Sequence, residues 1–436
     1  MDAQTSRLYA NLIDHLRMVL VSDEFKCRHR CSEKYFVRQR CLSFVVVILF
    51  LLNMLKRSLQ DELDEFFRAI ERGEVAERLV TKSAFTQARK KFKHTAFIEL
   101  NAEQVNYFYD HFQPLTWKGL RLLAIDGSMA ELPNTEKICS HFGVWHPRQG
   151  GECPKARLSQ LYDVLNKVTI EALISPKAFD ERSLAIKHFA HLNPADLLLM
   201  DRGYPAFWLF KAIIAQGAHF CARMQIEKWH AAKAFIESGK QEQIVTLELC
   251  HTSAKLCKDY DLSTDPITLR LIRIDLPNQE VMVLATSLLD QQSFTFTDFK
   301  ELYLKRWPVE IDYRRMKLRL QVENWSGKSV ESVYQDFHAM VFSKNFAAIL
   351  ALPAQSVIDE QTQEQKHPYQ VNMTNLFSKM KDTIILLFKR SKIIRLLNKI
   401  WKQMITTIEP LRPLRSYPRK KKMKPKRYKH SYKSTR

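Results

Sequence analysis

Hydrophobic and polar positions follow two different periods along this chain. Up to about residue 115, Gly and Pro are rare and apolar residues recur at helical spacing, as in Leu59, Leu63 and Phe66. From about residue 120, short apolar runs alternate with turn residues, which is typical of strands. The pattern predicts a helical N-terminal domain over residues 1–115 and an α/β domain over 116–350.

Acidic residues end two of the apolar runs in the α/β region. Leu122–Asp126 ends in an acid at a Gly-Ser turn, and Leu197–Asp201 is a second predicted strand that ends in the same way. Between them, two β-like runs, 158–164 and 168–174, precede a helical segment over 181–192. Because ligands gather at the carboxyl ends of strands in an α/β sheet, we expect both acids at one ligand-binding edge.

The chain after Asp201 contains more strands than a minimal α/β core needs. The predicted elements are a helix over 205–216 and strands over 219–224, 244–249, 267–274 and 281–287. We interpret residues 225–285 as a β-rich insertion whose last strand returns the chain to the core. A helical segment begins at Asp298.

The last quarter of the chain is predicted to be helical and to end in a cationic tail. Helical spacing continues to about Leu352, is interrupted by a Gln- and Pro-containing segment over 354–369, and resumes over 376–408. This predicts a helical C-terminal region over 351–411. Residues 412–436 contain twelve Lys or Arg and no acid, which indicates a disordered basic tail.

The charge balance narrows the class of partner. The 68 Lys and Arg residues exceed the 47 Asp and Glu residues, giving a net charge of +21 that suits a polyanion, either nucleic acid or an anionic membrane. The most apolar run, Phe44–Leu52, is too short to span a bilayer, so we expect no membrane partner. The N-terminus lacks the pattern of a secretory signal, so a cytoplasmic location is expected.

The eight cysteines do not form a recognisable framework. A disulfide network is not expected in a large cytoplasmic protein. The spacing of Cys27, Cys31 and Cys41 fits none of the usual zinc patterns. The spacing of Cys250 and Cys257 does not fit one either.

One stretch, Tyr303–Lys317, concentrates candidate chemistry. If it were one straight helix, a phenol, a guanidinium, a carboxylate and an ammonium would share a sector of roughly 60°. These groups belong to Tyr303, Arg306, Glu310 and Lys317. Pro308 opposes a straight helix, so the helix either kinks there or restarts with Pro308 in its first turn.

These residues resemble the Y-x2-R-x3-E-x6-K signature of bacterial DDE transposases of the insertion-sequence-four family, and all four positions match. The segments Ile125–Ser128 and Met200–Tyr204 resemble the two other motifs of that family. The resemblance covers most of the chain. It implies a ribonuclease-H-like, or retroviral-integrase-like, catalytic core of the α/β class with a β-rich insertion, between a helical N-terminal DNA-binding domain and a helical C-terminal region.

The resemblance implies a catalytic triad of Asp126, Asp201 and Glu310, which would also be the metal ligands. Phosphodiester cleavage needs a nucleophilic water and a stabilised leaving oxygen, and two divalent ions about 4 Å apart can serve both. Magnesium prefers carboxylate oxygen, so two Mg²⁺ ions are expected, and Mn²⁺ would substitute for them.

Several basic and aromatic residues are candidate DNA contacts. By resemblance, Tyr303, Arg306 and Lys317 contact the transposon end. A predicted short basic helix with an N-cap at Ser83 is a candidate for entering a DNA groove. A basic solvated face explains its composition equally well, but the resemblance favours DNA binding. Its cations are Arg89, Lys90, Lys91 and Lys93, and the stacking candidates are Trp208 and Trp307.

The function that we predict is cut-and-paste DNA transposition. The transposase would bind the terminal inverted repeats of an insertion sequence, hydrolyse one strand and join the freed 3′-hydroxyl to target DNA. The resemblance also implies a homodimer on paired ends and a cytoplasmic, nucleoid-associated location, and family members commonly pass through a hairpin at the transposon end. Two alternatives remain open, namely a ribonuclease-H-like nuclease without strand transfer and a DNA-binding protein that no longer catalyses.

Overall fold

The computed structural model describes residues 1–71, 76–146, 152–276 and 280–411. The chain divides into two units that alternate along the sequence. The first, which we call the helical unit, contains Met1–Gln113, Ala130–Ala156 and the residues from Arg314 onward, and the second, the sheet unit, contains Pro114–Met129 and Arg157–Tyr313. The predicted basic tail over 412–436 lies outside the described residues.

The α-helices begin and end as follows. They are α1 (Ala3–Val21), α2 (Asp23–His29), α3 (Phe44–Leu52), α4 (Leu59–Glu71), α5 (Lys82–Arg89), α6 (Thr95–His111), α7 (Glu136–Phe142), α8 (Glu181–His188), α9 (Phe207–Ala215), α10 (His230–Glu237), α11 (His251–Asp259), α12 (Phe296–Leu304), α13 (Pro308–Leu318), α14 (Val330–Gln361), α15 (Met373–Lys389) and α16 (Ile393–Thr406).

The strands are shorter and lie mostly in the middle of the chain. They are β1 (Arg121–Glu131), β2 (Val144–Trp145), β3 (Cys153–Asp163), β4 (Val168–Ser175), β5 (Asp196–Met200), β6 (His219–Arg223), β7 (Glu242–Leu247), β8 (Ile267–Asp275), β9 (Val281–Thr286), β10 (Tyr369–Val371) and β11 (Ile408–Pro410).

The core of the helical unit forms around α14, which packs against α3, α6, α15 and α16. This helix alone, within the described residues, is long and apolar enough to cross a membrane, but 72% of its most apolar window is buried inside the protein. It continues through Pro353 to Gln361, so the predicted start of the interruption after Leu352 is wrong, but helices are interrupted over residues 362–372 before α15 begins. The apolar α3 is buried along most of its length, which explains its composition without a bilayer.

One mixed sheet organises the sheet unit. Its strands lie in the order β3-β1-β5-β6-β9-β8-β7, and β4 pairs with β3. Strand β1 is parallel to β5, and β5 is parallel to β6. Strands β6, β9, β8 and β7 are successively antiparallel, and so are β3 and β4. The apolar segments that predict strands in the sequence therefore form the centre of this sheet.

Two features of the sheet unit correct the sequence prediction. Gly127 and Ser128 are not a turn, because β1 stays extended to Glu131. The insertion over 225–285 contains the predicted strands, but it also contains the short helices α10 and α11. Its last strand returns the chain to the core as predicted, since β9 pairs with β6.

Candidate active site

The register of two parallel strands sets the positions of the first two acids. Strand β1 pairs with β5 from Arg121↔Asp196 to Ile125↔Met200. Asp126 and Asp201 are each the next residue after the last pair, so both acids lie at the carboxyl edge of these strands. Leu122–Ile125 and Leu197–Met200, directly before this edge, are apolar and buried, whereas both acids are partly exposed.

The third acid reaches the same region from a helix that restarts at a proline. Helix α12 ends at Leu304, and α13 begins with Pro308 in its first turn, which confirms the second of the two predicted geometries. Glu310 therefore lies in the first turn of α13. The buried Tyr313 donates its hydroxyl to the backbone oxygen of Asp126 at 3.0 Å, which ties α13 to β1.

Arg306 is buried between the two helices and is only partly paired. The residue is 3% exposed, and Nη2 donates to Oε1 of Glu310 at 2.6 Å. Its guanidinium lies 5.8 Å from the ring centre of Tyr303 and 5.5 Å from that of Trp307. The atoms Nε and Nη1 are buried and have no hydrogen-bond partner among the described residues. Two buried donors are thus left for an acceptor that the described part of the chain does not supply.

Tyr303 links the arginine to the second acid. Its hydroxyl donates to Oδ1 of Asp201 at 3.2 Å, and its ring is buried. Burial raises the pKa of this phenol, and the negative charge of Asp201 adds to the effect. Tyr303 therefore stays protonated at neutral pH and acts here as a hydrogen-bond donor.

The carboxyl group of Asp126 has an unusual proton affinity. Burial raises its pKa to about 7, and the charges of Glu310 and Asp201 act in the same direction. Arg306 and the backbone N–H of Gly127 oppose this rise. Burial is the main cause of the shift, and the smaller contributions of Glu310 and Asp201 indicate that the three carboxylates lie within electrostatic range of one another at this edge.

The donor set suits a hard divalent cation, although the side chains do not yet converge on one point. Within the described ranges, no group of three or more His, Cys, Asp or Glu side chains is placed closely enough to hold a metal ion. Two of the three acids contact other side chains instead, since Glu310 is paired with Arg306 and Asp201 accepts a hydrogen bond from Tyr303. The ligand atoms offered are carboxylate oxygens, which hard divalent ions prefer.

The four signature residues do not share one helix face. Tyr303 lies on α12, Arg306 lies in the linker, and only Glu310 and Lys317 lie on α13. The straight-helix arrangement is therefore wrong. Lys317 is half-buried in the last turn of α13, two turns after Glu310.

The environment of Arg89 contradicts its predicted role as a DNA contact on a basic helix. It is 3% exposed, and its guanidinium donates to Gln335, Ser326 and the backbone oxygen of Ser332, besides an ion pair of 3.0 Å with Asp336. These protein partners occupy the guanidinium, so Arg89 has a structural role and does not offer its charge to DNA. The helix is α5, and its N-cap is Thr81, not Ser83.

The other three predicted cations remain accessible to different degrees. Lys90 and Lys93 are exposed, and Lys91 is half-buried with its ammonium 5.6 Å from the ring centre of Tyr35. Lys91 lines a cleft of about 870 Å³. Other basic residues lining this cleft are Lys34, Arg38 and Arg40.

The two stacking candidates have different environments. Trp208 is buried and stacks on Tyr260, with ring centres 5.4 Å apart, so it is a core residue and not a free platform for a base. Trp307 is 46% exposed, and the guanidinium of Arg306 lies 5.5 Å from its ring centre.

Residues that the sequence prediction did not single out also reach this edge. Tyr204 and Tyr313 are buried, and their pKa values lie well above 10 because of burial and then of the charge of Asp126. Glu181 approaches Gly127. The only sequence signal for Tyr204 was its place in the motif Met200–Tyr204, and an acid at a predicted helix start gave no signal for Glu181.

Fold and site together define a carboxylate centre at the carboxyl edge of a mixed sheet, flanked by buried aromatic and basic groups. Residues 117–346 match the model of the transposase DDE domain, and the chain belongs to that family. This confirms the family predicted from the three motifs.

Two individual proteins illustrate the similarity. Transposase InsG for insertion sequence element IS4 from Escherichia coli (strain K12) is 26% identical over 273 residues, which are 61% of this chain and 60% of the relative. The match thus spans about 60% of the length of that curated relative. A piggyBac transposase in a synaptic complex with hairpin DNA has a TM-score of 0.46 at 8% identity, with 92% of this chain and 84% of that one covered.

Proposed function

We propose that this chain is a transposase that binds the terminal inverted repeats of an insertion sequence, hydrolyses one DNA strand and joins the freed 3′-hydroxyl to target DNA. The observation that carries the proposal is the position of Asp126 and Asp201, one residue beyond the last pair of two parallel strands, in a chain of the transposase DDE domain family. Glu310 is the third member of the proposed catalytic triad, because its charge acts on Asp126 from the first turn of α13.

The topology supports a ribonuclease-H-like core. The strands β3, β1, β5 and β6 are consecutive in the sheet, with β4 on β3, and β1, β5 and β6 run parallel. Helix α8 connects β4 with β5. We assign residues 116–350 to a catalytic domain of this fold, 1–115 to a DNA-binding domain and 351–411 to a helical C-terminal region.

The proposed cofactor is a pair of Mg²⁺ ions, for which Mn²⁺ would substitute. When bound, the ions would supply an activated water and stabilise the leaving oxygen. Asp126, Asp201 and Glu310 would hold them, since all three offer carboxylate oxygens. The charges of Glu310 and Asp201 both raise the pKa of Asp126, which supports a position of the three carboxylates close to one another.

The chain's own residues account for the binding of phosphate. Arg306 has two buried nitrogens without a partner among the described residues, and a phosphate offers two acceptor oxygens in matching geometry. Tyr303 would orient Asp201 through its hydroxyl, and Lys317 would contact the transposon end. Lys90, Lys91 and Lys93 would contribute salt-dependent contacts to the DNA backbone.

The partners follow from this activity. The substrates are double-stranded DNA, both as inverted-repeat ends and as target, and a homodimer would hold paired ends together. The net charge of +21 suits a protein that works in the cytoplasm at the nucleoid. The DNA that flanks the reading frame would supply the substrate, because inverted repeats close to both ends of the frame are the expected binding sites.

The test is a cleavage assay on a supercoiled plasmid that carries two such repeats, with and without Mg²⁺. We expect Mg²⁺-dependent cuts at the repeat ends and joined products, and we expect both to disappear in Asp126→Asn. Cuts without joined products would identify a nuclease that does not transfer strands. Repeat binding without Mg²⁺-dependent cleavage would identify a DNA-binding protein that no longer catalyses.

A further inference from the structure

A fourth carboxylate, that of Glu181, approaches the proposed catalytic edge. Glu181 is the first residue of α8, directly after the N-cap Asp180. The side chain of Asp180 accepts from the backbone N–H of Arg182 at 2.8 Å and of Ser183 at 2.9 Å. Because Asp180 caps the helix, the carboxylate of Glu181 is not needed for capping.

The start of α8 is fastened to the loop that follows Asp201. Arg182 donates from Nε to the backbone oxygen of Gly203 at 3.1 Å and from Nη2 to that of Pro205 at 3.0 Å. Two hydrogen bonds from one planar guanidinium fix both distance and orientation. Glu181, the neighbour of Arg182, is therefore held beside the carboxyl end of β5.

Two glycines leave the space that the Glu181 side chain uses. A Cβ added at Gly127 would lie 3.3 Å from Cγ, Cδ and Oε1 of Glu181, and one at Gly203 would lie 3.8 Å from Oε2. Gly127 follows Asp126 directly, and Gly203 is two residues after Asp201. The Glu181 carboxylate thus lies against the backbone of both acidic motifs, and a larger residue at position 127 would crowd it.

A buried donor beneath these acids lacks a partner. Tyr204 is 2% exposed, and its hydroxyl has no hydrogen-bond partner in the part of the chain that the structure describes. Burial raises the pKa of this hydroxyl, and the charges of Asp126, Glu181 and Asp201 raise it further, so it lies within the field of all three carboxylates. An unpaired buried donor is costly, so we expect an acceptor oxygen at this place, such as that of a water molecule held by a cation.

We propose that Glu181 is a fourth carboxylate of the catalytic centre and binds a divalent cation together with Asp126 and Asp201, from the side of Gly127. This inference rests on the proposed metal-dependent function. An acid in the first turn of a helix is also stabilised by the helix dipole. That general effect requires neither the bare backbone at Gly127 nor the attachment of Arg182 to the Asp201 loop.

The chain contains a matched control for the dipole effect. Glu136 is the exposed first residue of α7, and its N-cap is Thr135, whose side chain accepts from Ile138. Glu136→Gln therefore removes an acid from the same helical position as Glu181→Gln, on a helix that carries no residue of the proposed catalytic centre.

The experiment measures binding of Mn²⁺ alone to the full chain without DNA, by the loss of the free-ion electron paramagnetic resonance signal. We expect Glu181→Gln to weaken binding at least about tenfold, the smallest loss common for groups that support a metal site. Asp126→Asn should weaken it as well, and Glu136→Gln should leave it unchanged. Gly127→Ala, which keeps the carboxylate but crowds it, should also weaken Mn²⁺ binding and serves if Glu181→Gln does not fold.

The outcomes separate this inference from the function on which it rests. Unchanged Mn²⁺ affinity in Glu181→Gln or, if that variant does not fold, in Gly127→Ala, beside weakened affinity in Asp126→Asn, would overturn the role of Glu181 and leave the transposase proposal standing. Equal weakening of Mn²⁺ binding by Glu181→Gln and Glu136→Gln would mean that the loss of any helix-start acid has this effect. That result would also overturn the role of Glu181 as a metal ligand. No saturable Mn²⁺ binding by the unaltered protein would overturn the metal-dependent function itself.

Discussion

The guanidinium of Arg306 holds the carboxylate of Glu310 at 2.6 Å across the break between α12 and α13. This pair balances the charge of Glu310 as long as no cation is bound. If Glu310 turns to a metal ion, Arg306 loses its anionic partner while it stays buried. A phosphate oxygen could replace that partner, so the pair offers a simple way to couple metal binding to the engagement of DNA.

The first prediction separates chemistry from DNA binding at Glu310. Glu310→Gln keeps the shape of the side chain but removes the charge that would hold a metal, so strand cleavage should fall by orders of magnitude. Binding to repeat DNA in a gel-shift assay should persist. Glu301→Gln, at an exposed position of α12, is the control and should cleave normally. Normal cleavage by Glu310→Gln would remove this residue from the triad.

The second prediction tests metal ligation at the strand ends. A thiolate is softer than a carboxylate, so Asp126→Cys and Asp201→Cys should be inactive in Mg²⁺ and should recover some cleavage in Mn²⁺. The measurement is the ratio of cleavage rates in the two metals. Rescue at both positions would place both side chains on the ions. Full activity of either variant in Mg²⁺ would contradict its role as a ligand.

The sequence predicted the helices and strands that carry the candidate site more accurately than the long-range contacts between them. The restart of the helix at Pro308 and the strands before Asp126 and Asp201 follow from the sequence, because proline chemistry and apolar runs act locally. The turn predicted at Gly127 failed, since pairing within the sheet keeps β1 extended past it. A sequence pattern does not contain that pairing.

Burial of charged residues was also beyond prediction. The run Arg89–Lys93 has the composition of a solvated basic face, yet Arg89 is buried. Its partners Ser326 and Asp336 lie far away in the sequence, so no local pattern indicates that Arg89 is buried. Glu181 was missed for a similar reason. An acid at a helix start is common, and only the fold brings it against Gly127.

The third prediction follows from the buried position of Arg89. Arg89→Met leaves the carboxylate of Asp336 without its cation, so the free energy of unfolding should fall by about 3 kcal/mol. Lys90→Ala, one residue further along and exposed, should change it by less than about 0.5 kcal/mol. Urea denaturation of the two variants measures the difference. Equal stabilities would mean that the Arg89 network contributes nothing.

The fourth prediction concerns the basic residues 412–436 and rests on the sequence alone. Twelve cations without an acid should release counterions on DNA binding, which makes the affinity salt-dependent. Truncation before Arg412 should reduce the slope of log affinity against log salt concentration and should largely preserve the preference for repeat DNA. An unchanged slope in a fluorescence-anisotropy titration would argue against a role for these residues in DNA binding.

The fifth prediction is a pH dependence of stability at Glu171, away from the proposed metal ligands. Its carboxylate contacts Nδ1 of His188 at 2.7 Å and Nε2 of His191 at 3.4 Å. Burial alone would raise the pKa of Glu171, but the two histidines outweigh burial and lower it from 4.5 to about 2. The hydrogen bond to Glu171 raises the pKa of His191 above 6.5.

The signs of these shifts define a pH window. A lowered carboxyl pKa stabilises the fold above pH 4.5 and loses its effect as the pH falls toward 2. A raised histidine pKa stabilises it below pH 6.5 and loses its effect as the pH rises through the folded value. Glu171→Gln should therefore cost most between about pH 4.5 and 6.5, on the order of 2 kcal/mol. Denaturation midpoints measured across pH for both proteins test this, and a difference that does not vary with pH would show that Glu171 acts through packing and not through its charge.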